Sequence, residues 1–118
     1  NGFRWLAFDE LFGPVLRDFD RRYPDKWQMI GEFASAEDDG GSKAEWVRDA
    51  YARIPHYPRL GAAIWFNVVK ERDWRIISSP EVLVAYREAT NSSWFSSSYD
   101  EWLVRNPSLP EMIERRAP

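Results

Sequence analysis

The chain has 118 residues, 44% hydrophobic and 30% charged, with a formal net charge of −3. That is the size and balance of one globular domain. The acidic surplus argues against a nucleic-acid surface, which needs a basic face, and no apolar run approaches the roughly 20 residues that span a bilayer.

Cysteine is absent and histidine occurs once, at His56. A disulfide framework and a Cys- or multi-His metal centre are therefore ruled out, and a His-dependent triad is disfavoured. The chain opens at Asn1-Gly2 without a methionine, so the expectation is that its N-terminus has been cut away, and a missing signal says nothing about export. Seven tryptophans, in a chain that is 16% aromatic, are the unusual number. Such rings either fill a core or offer flat faces on which sugar rings stack.

Residues 8–22, FDELFGPVLRDFDRR, place Phe8, Leu11, Phe12, Val15, Leu16 and Phe19 at helical spacing. Gly13-Pro14 interrupts the stripe, which predicts a short turn followed by a helix starting at Pro14. Tyr23-Pro24-Asp25-Lys26 ends it. Trp27 to Ala34 reads as the first strand, followed by the acidic, Gly-rich loop SAEDDGGS.

Ser42 with Glu45 three residues on has a capping-box pattern, and KAEWVRDAYARI runs as a helix until Pro55 and Pro58. Residues 59–69, RLGAAIWFNVV, form a continuous apolar run, as expected for a strand buried on both faces. The loop KERDWRIISS leads to Ser79-Pro80, N-cap and first turn of a helix PEVLVAYREAT. From Asn91 the composition changes to a Ser-rich spacer with a short helical candidate at 99–105. This divides the chain at 1–90 and 91–118.

The order is helix, strand, helix, strand, helix. Two strands joined by a helical crossover must be parallel, and parallel strands occur with both faces covered, in doubly wound sheets or barrels. Two strands cannot make such a sheet alone, so the chain reads as a piece of something larger.

Glu32 stands near the tip of the first strand, before Phe33 and Ala34. An ionised carboxylate is costly to bury unless paired or hydrogen-bonded. Either Glu32 emerges into solvent, or it is held there for chemistry. Trp65 has two readings as well, core or sugar platform, and strand alternation decides between them. Trp46 sits at helical spacing and reads as core, His56 between prolines as a surface turn. Trp74, between Asp73 and Arg75 in a polar loop, is harder to explain as core. Glu37, Asp38 and Asp39 read as a solvated loop, their spacing not fitting an EF-hand.

The ordered set MIGEFAS, KAEWVRDAY and RLGAAIWFNVVKERDWRIISSPEVLVAYRE, with FDELFGPVL upstream, resembles the C-terminal part of family 26 glycoside hydrolases over roughly residues 3–88. These are secreted β-mannanases and β-glucanases of a retaining clan built on (β/α)8 barrels. The resemblance implies α/β βα units corresponding to about strands seven and eight of a TIM barrel, incomplete as given and beginning near the sixth helix.

It implies that Glu32 is the catalytic nucleophile, at the C-terminal end of a barrel strand where such active sites lie. Trp65 or Phe66 would floor a sugar subsite, and Asp73 and Trp74 would shape its walls. The expected partners are a β-linked polysaccharide or oligosaccharide and the remainder of the barrel, or a completing chain. No cofactor, metal, nucleic acid or membrane is expected, and the setting is extracellular.

The sequence departs from the family pattern in one respect. A retaining glycosidase needs two carboxyl groups about 5–5.5 Å apart, and the family's acid/base lies on a fourth strand that this chain lacks. Isolated, the chain is expected to be inactive. The alternative is a non-catalytic, barrel-derived module that binds a glycan or protein through its aromatics.

Overall fold

A computed structural model describes residues 5–37 and 40–95. The elements are helix α1 (Phe8–Arg22), strand β1 (Gln28–Phe33), helix α2 (Lys43–Arg53) with a 3-10 turn at Ile54–His56, strand β2 (Leu60–Trp65) and helix α3 (Pro80–Thr90). The order is the one the sequence predicts, and β1 and β2 pair in parallel as the crossover requires. The reading of residues 96–118, including the helical candidate at 99–105, lies outside the described residues, as do Asp38 and Asp39.

Helix α1 differs from the expectation: it begins at Phe8 and continues through Pro14. An interior proline removes a backbone hydrogen bond and costs about 3 kcal/mol. The first turn is held by something stronger. Phe8 is 0% exposed, with ring contacts to Phe12, Phe33, Trp46 and Tyr57 at 5.1–6.5 Å. The Glu10 carboxylate also accepts the Ala7 backbone N–H at 2.9 Å. Burial of one large aromatic can offset the proline by itself.

The helix starts at α2 and α3 follow from their caps. Ser42 Oγ accepts from the Glu45 backbone N–H and Ser79 Oγ from that of Val82.

Strand β2 is shorter than the 59–69 run and is not buried on both faces: Ala62 and Ile64 are exposed while Leu60, Ala63 and Trp65 are partly covered. Register explains the pattern. Ile30 pairs with Ala63 and Phe33 with Trp65, facing the helices, whereas Met29 pairs with Ala62 on the other side. The helix-covered face carries the core of Phe8, Leu16, Ile30, Phe33, Trp46, Val47, Tyr51 and Val82. The opposite face is open, with Met29 63% and Ile64 52% exposed. Beyond Trp65 the Phe66 N–H still reaches the Phe33 carbonyl at 2.9 Å, and then the chain turns away. No described helix is long and apolar enough to cross a membrane.

Candidate active site

Parallel pairing puts the C-terminal ends of β1 and β2 side by side. The described residues that follow them, 34–37 and 66–79, therefore share one end of the sheet. That end is where open parallel sheets and barrels place their ligands.

Glu32 is the penultimate residue of β1 and is exposed, on the side of the strand opposite the buried Phe33. It accepts no hydrogen bond and forms no ion pair among the described residues. Its strand is anchored through Phe33, whose ring contacts Phe8, Phe12, Trp46, Tyr51 and Trp65 at 5.2–6.3 Å. The backbone under Glu32 is thus fixed, and Glu32 is one of the residues lining a groove of about 490 Å³ between α1 and the edge of β1, with Phe12, Val15, Leu16, Phe19 and Met29.

Trp65 takes the helix-covered side. Its ring packs on Phe33 at 5.2 Å and Trp46 at 6.1 Å, and its Nε1–H donates to the Trp74 carbonyl at 2.7 Å. Packing therefore settles its direction: Trp65 lies on the helix-covered side and supports the 66–79 segment from behind.

The 66–79 segment is pinned at many points. Trp74 N–H donates to the Val68 carbonyl at 3.0 Å, Ile76 N–H to Asn67 Oδ1 at 2.8 Å, and Ser78 N–H to the Arg75 carbonyl at 3.2 Å. Asp73 is gripped by Arg75 in fork geometry, with Nε at 2.9 Å from Oδ1 and a terminal nitrogen at 2.8 Å from Oδ2, and the Arg75 backbone N–H adds a bond at 3.1 Å. Those side-chain bonds, with the backbone bond and the Arg75 charge, hold the Asp73 carboxyl down to about 2. Neighbouring Glu71 is also lowered, first by its own backbone N–H and then by Lys70 and the Trp74 side chain. Both carboxyl groups are thereby biased toward the ionised, accepting form.

Trp74 lines a second groove, of about 440 Å³, together with Trp5, Ala34, Ser35, Glu71 and Arg72. Trp5 packs closely against Gly40-Gly41: a Cβ on Gly41 would stand 2.6 Å from Trp5 Cε2, so a side chain there would displace the indole. The structure joins Trp65, Asp73 and Trp74 into one constellation. It does not place Glu32 in the groove that Trp74 lines.

No protein-family model matches the chain. It is 47% identical over 89 residues to Endoglucanase H of Acetivibrio thermocellus, an alignment that takes in 75% of this chain and 10% of that protein's length. The chain is related to an endoglucanase. Since it spans about a tenth of this relative, the relative's activity is not carried over whole by the match.

Three features of this end of the sheet are not apparent from motif reading: Trp5, Glu71 and Lys43. Lys43 is the first residue of α2 and is fully buried. Its sequence signal is a broken local rule, since a cation in the first turn opposes the helix dipole.

Proposed function

We propose that this chain carries the nucleophile of a retaining β-glycanase acting on β-glucan, as part of a (β/α)8 barrel. The observation that carries the reading is the 47% identity to Endoglucanase H over 89 residues. The placement of Glu32, an exposed carboxylate at the C-terminal end of a parallel strand, is consistent with it.

The barrel reading draws support from the sheet. Parallel sheets are covered on both faces, and here Met29, Ala62 and Ile64 lie on an open face. Neighbouring βα units would cover it and would pair the outer strand edges. The resemblance to family 26 hydrolases and the match to Endoglucanase H support an extracellular setting.

In this mechanism the Glu32 carboxylate attacks the anomeric carbon as the glycosidic C–O bond breaks, giving a glycosyl-enzyme that water then hydrolyses. A second carboxyl group protonates the leaving oxygen, and that donor must have a raised pKa. The resemblance to family 26 hydrolases implies that this acid/base comes from a strand outside this chain, and Glu71 and Asp73, whose pKa values are lowered, do not suit that role. Trp74 lines a groove that Glu32 does not, which favours a sugar unit distal to the cleaved bond as its partner, with the Asp73–Arg75 fork bracing the segment that carries it. Trp65 contributes by supporting Trp74.

The test is to assay the full-length gene product for reducing ends released from β-glucan and β-mannan, with and without Glu32→Ala. Loss of hydrolysis by several orders of magnitude with retained binding is expected. Undiminished activity in the variant would sink the assignment, and binding without hydrolysis by the unaltered protein would make it a glycan-binding module instead.

A further inference from the structure

Lysine is among the residues least often buried without a partner, and a helix N-terminus repels its charge. Lys43 occupies both positions, 0% exposed at the start of α2. Its ammonium has three protons and three acceptors: the Asp73 carbonyl at 3.0 Å, the Arg75 carbonyl at 2.7 Å and Ser78 Oγ at 2.9 Å. Every donor is satisfied, which is the condition for tolerating a buried ammonium. Burial pulls its pKa down while the charges of Asp73 and Glu37 oppose that pull.

The bonds bear on the site in a specific way. Residues 73–75 expose three successive carbonyl oxygens to the protein interior. Lys43 takes those of Asp73 and Arg75, and Trp65 Nε1–H takes that of Trp74 between them. Lys43 Nζ also lies 6.0 Å from the Trp65 ring centroid, so the two donors support one another. The Lys43 backbone N–H donates to Glu37 Oε2 at 3.3 Å, reaching the segment that follows β1. One residue thus ties together the two segments that flank the strand ends, and it fixes the backbone from which Trp74 and the Asp73–Arg75 fork project.

We propose that Lys43 is a positioning residue for carbohydrate: its buried ammonium presets the Asp73–Ser78 segment so that Trp74 meets the sugar chain without reordering. The inference rests on the glycanase reading of the site. Preorganisation of this kind lowers the entropic cost of binding, and loss of outer-shell support in a site commonly costs 10–100-fold.

The experiment compares the full-length gene product with its Lys43→Met, Lys43→Arg and Ser78→Ala variants. Amide hydrogen exchange is followed across residues 73–78, and kcat and KM are measured on cellohexaose. Lys43→Met is expected to speed exchange in that segment at least about tenfold and to lower kcat/KM by roughly 10–100-fold, mostly through KM. Lys43→Arg, which keeps a buried cation, recovers part of both effects. Ser78→Ala removes one of three bonds while leaving the core intact, and gives a smaller change of the same kind, a few-fold in KM. It decides the matter if Lys43→Met does not fold.

Faster exchange with unchanged kcat/KM per folded molecule would make Lys43 a structural residue only and overturn the proposal, leaving the glycanase reading standing. Where Lys43→Met does not fold, unchanged exchange and KM in Ser78→Ala overturn it equally. Full activity in Glu32→Ala instead strikes the nucleophile assignment, and the exchange data then still report whether Lys43 holds the segment.

Discussion

Trp65→Phe separates two roles that one indole could play. The substitution keeps an aromatic ring beside Phe33 and Trp46 but removes Nε1–H, which donates to the Trp74 carbonyl at 2.7 Å. Stranding that carbonyl costs about 1 kcal/mol, at the low end because Trp74 is only partly buried. The missing five-membered ring leaves a void somewhat larger than a methyl group, worth roughly 1–2 kcal/mol. The combined loss is about 2–3 kcal/mol, which for a fold of barrel size lowers the melting temperature by roughly 5–10 °C. The assay is thermal unfolding followed by circular dichroism, with cellohexaose affinity measured well below the transition. A large melting shift with an affinity change of only a few-fold is expected. A variant that melts within about 2 °C of the unaltered protein but loses its affinity for the sugar would show that Trp65 touches substrate directly, refuting its placement behind the segment.

The other expectations rest on single features. Pro14 is exposed within α1, so Pro14→Ala restores a backbone hydrogen bond without losing packing and should raise stability by about 1–2 kcal/mol, after allowing for the unfolded-state entropy that proline removes; an unchanged or lowered denaturation midpoint in urea would contradict the view that the helix tolerates this proline at a cost. Asp73 is held at about 2 in the folded protein against an ordinary value of 3.8. Its contribution to stability is therefore complete above the ordinary value and is lost as pH falls from roughly 4 toward 2. Asp73→Asn should flatten the acid limb of the melting-temperature profile in that window, and parallel profiles for the two proteins would show that the fork with Arg75 carries no weight.

Much of the architecture was readable because local chemistry and tertiary packing agree. Ser42 and Ser79 cap the helices they are placed to cap, and the alternation of strands and helices implies parallel pairing, which the register bears out. The misreadings occur where packing overrides local rules. Pro14 reads as a helix start, yet Phe8 is buried deeply enough to extend the helix past it. The 59–69 run reads as a strand covered twice, but its apolar character does not reveal that Ala62 and Ile64 face an open side.

Within the site, the place of Glu32 near the tip of the first strand was legible, but its facing was not, because a register shift lets Ile30 and Phe33, three residues apart, share the buried side. Lys43 could not be assigned a partner from sequence, because its acceptors lie thirty and more residues away, at Asp73, Arg75 and Ser78. The same distance hides the separation of the two grooves. Glu32 sits at a strand end and Trp74 in the loop after the next strand, and only the tertiary fold shows that they line different grooves.

The most direct test of the central claim is covalent trapping of the nucleophile. A 2-deoxy-2-fluoro-β-glucosyl or cellobiosyl donor with a good leaving group forms the glycosyl-enzyme quickly and releases it slowly, so the full-length gene product can be digested and its peptides weighed. The expected result is a stoichiometric glycosyl adduct on the peptide containing Glu32, absent from Glu32→Ala. An adduct on another carboxylate, or turnover of β-glucan by a protein that never labels, would contradict the assignment of Glu32 as the residue that attacks the sugar.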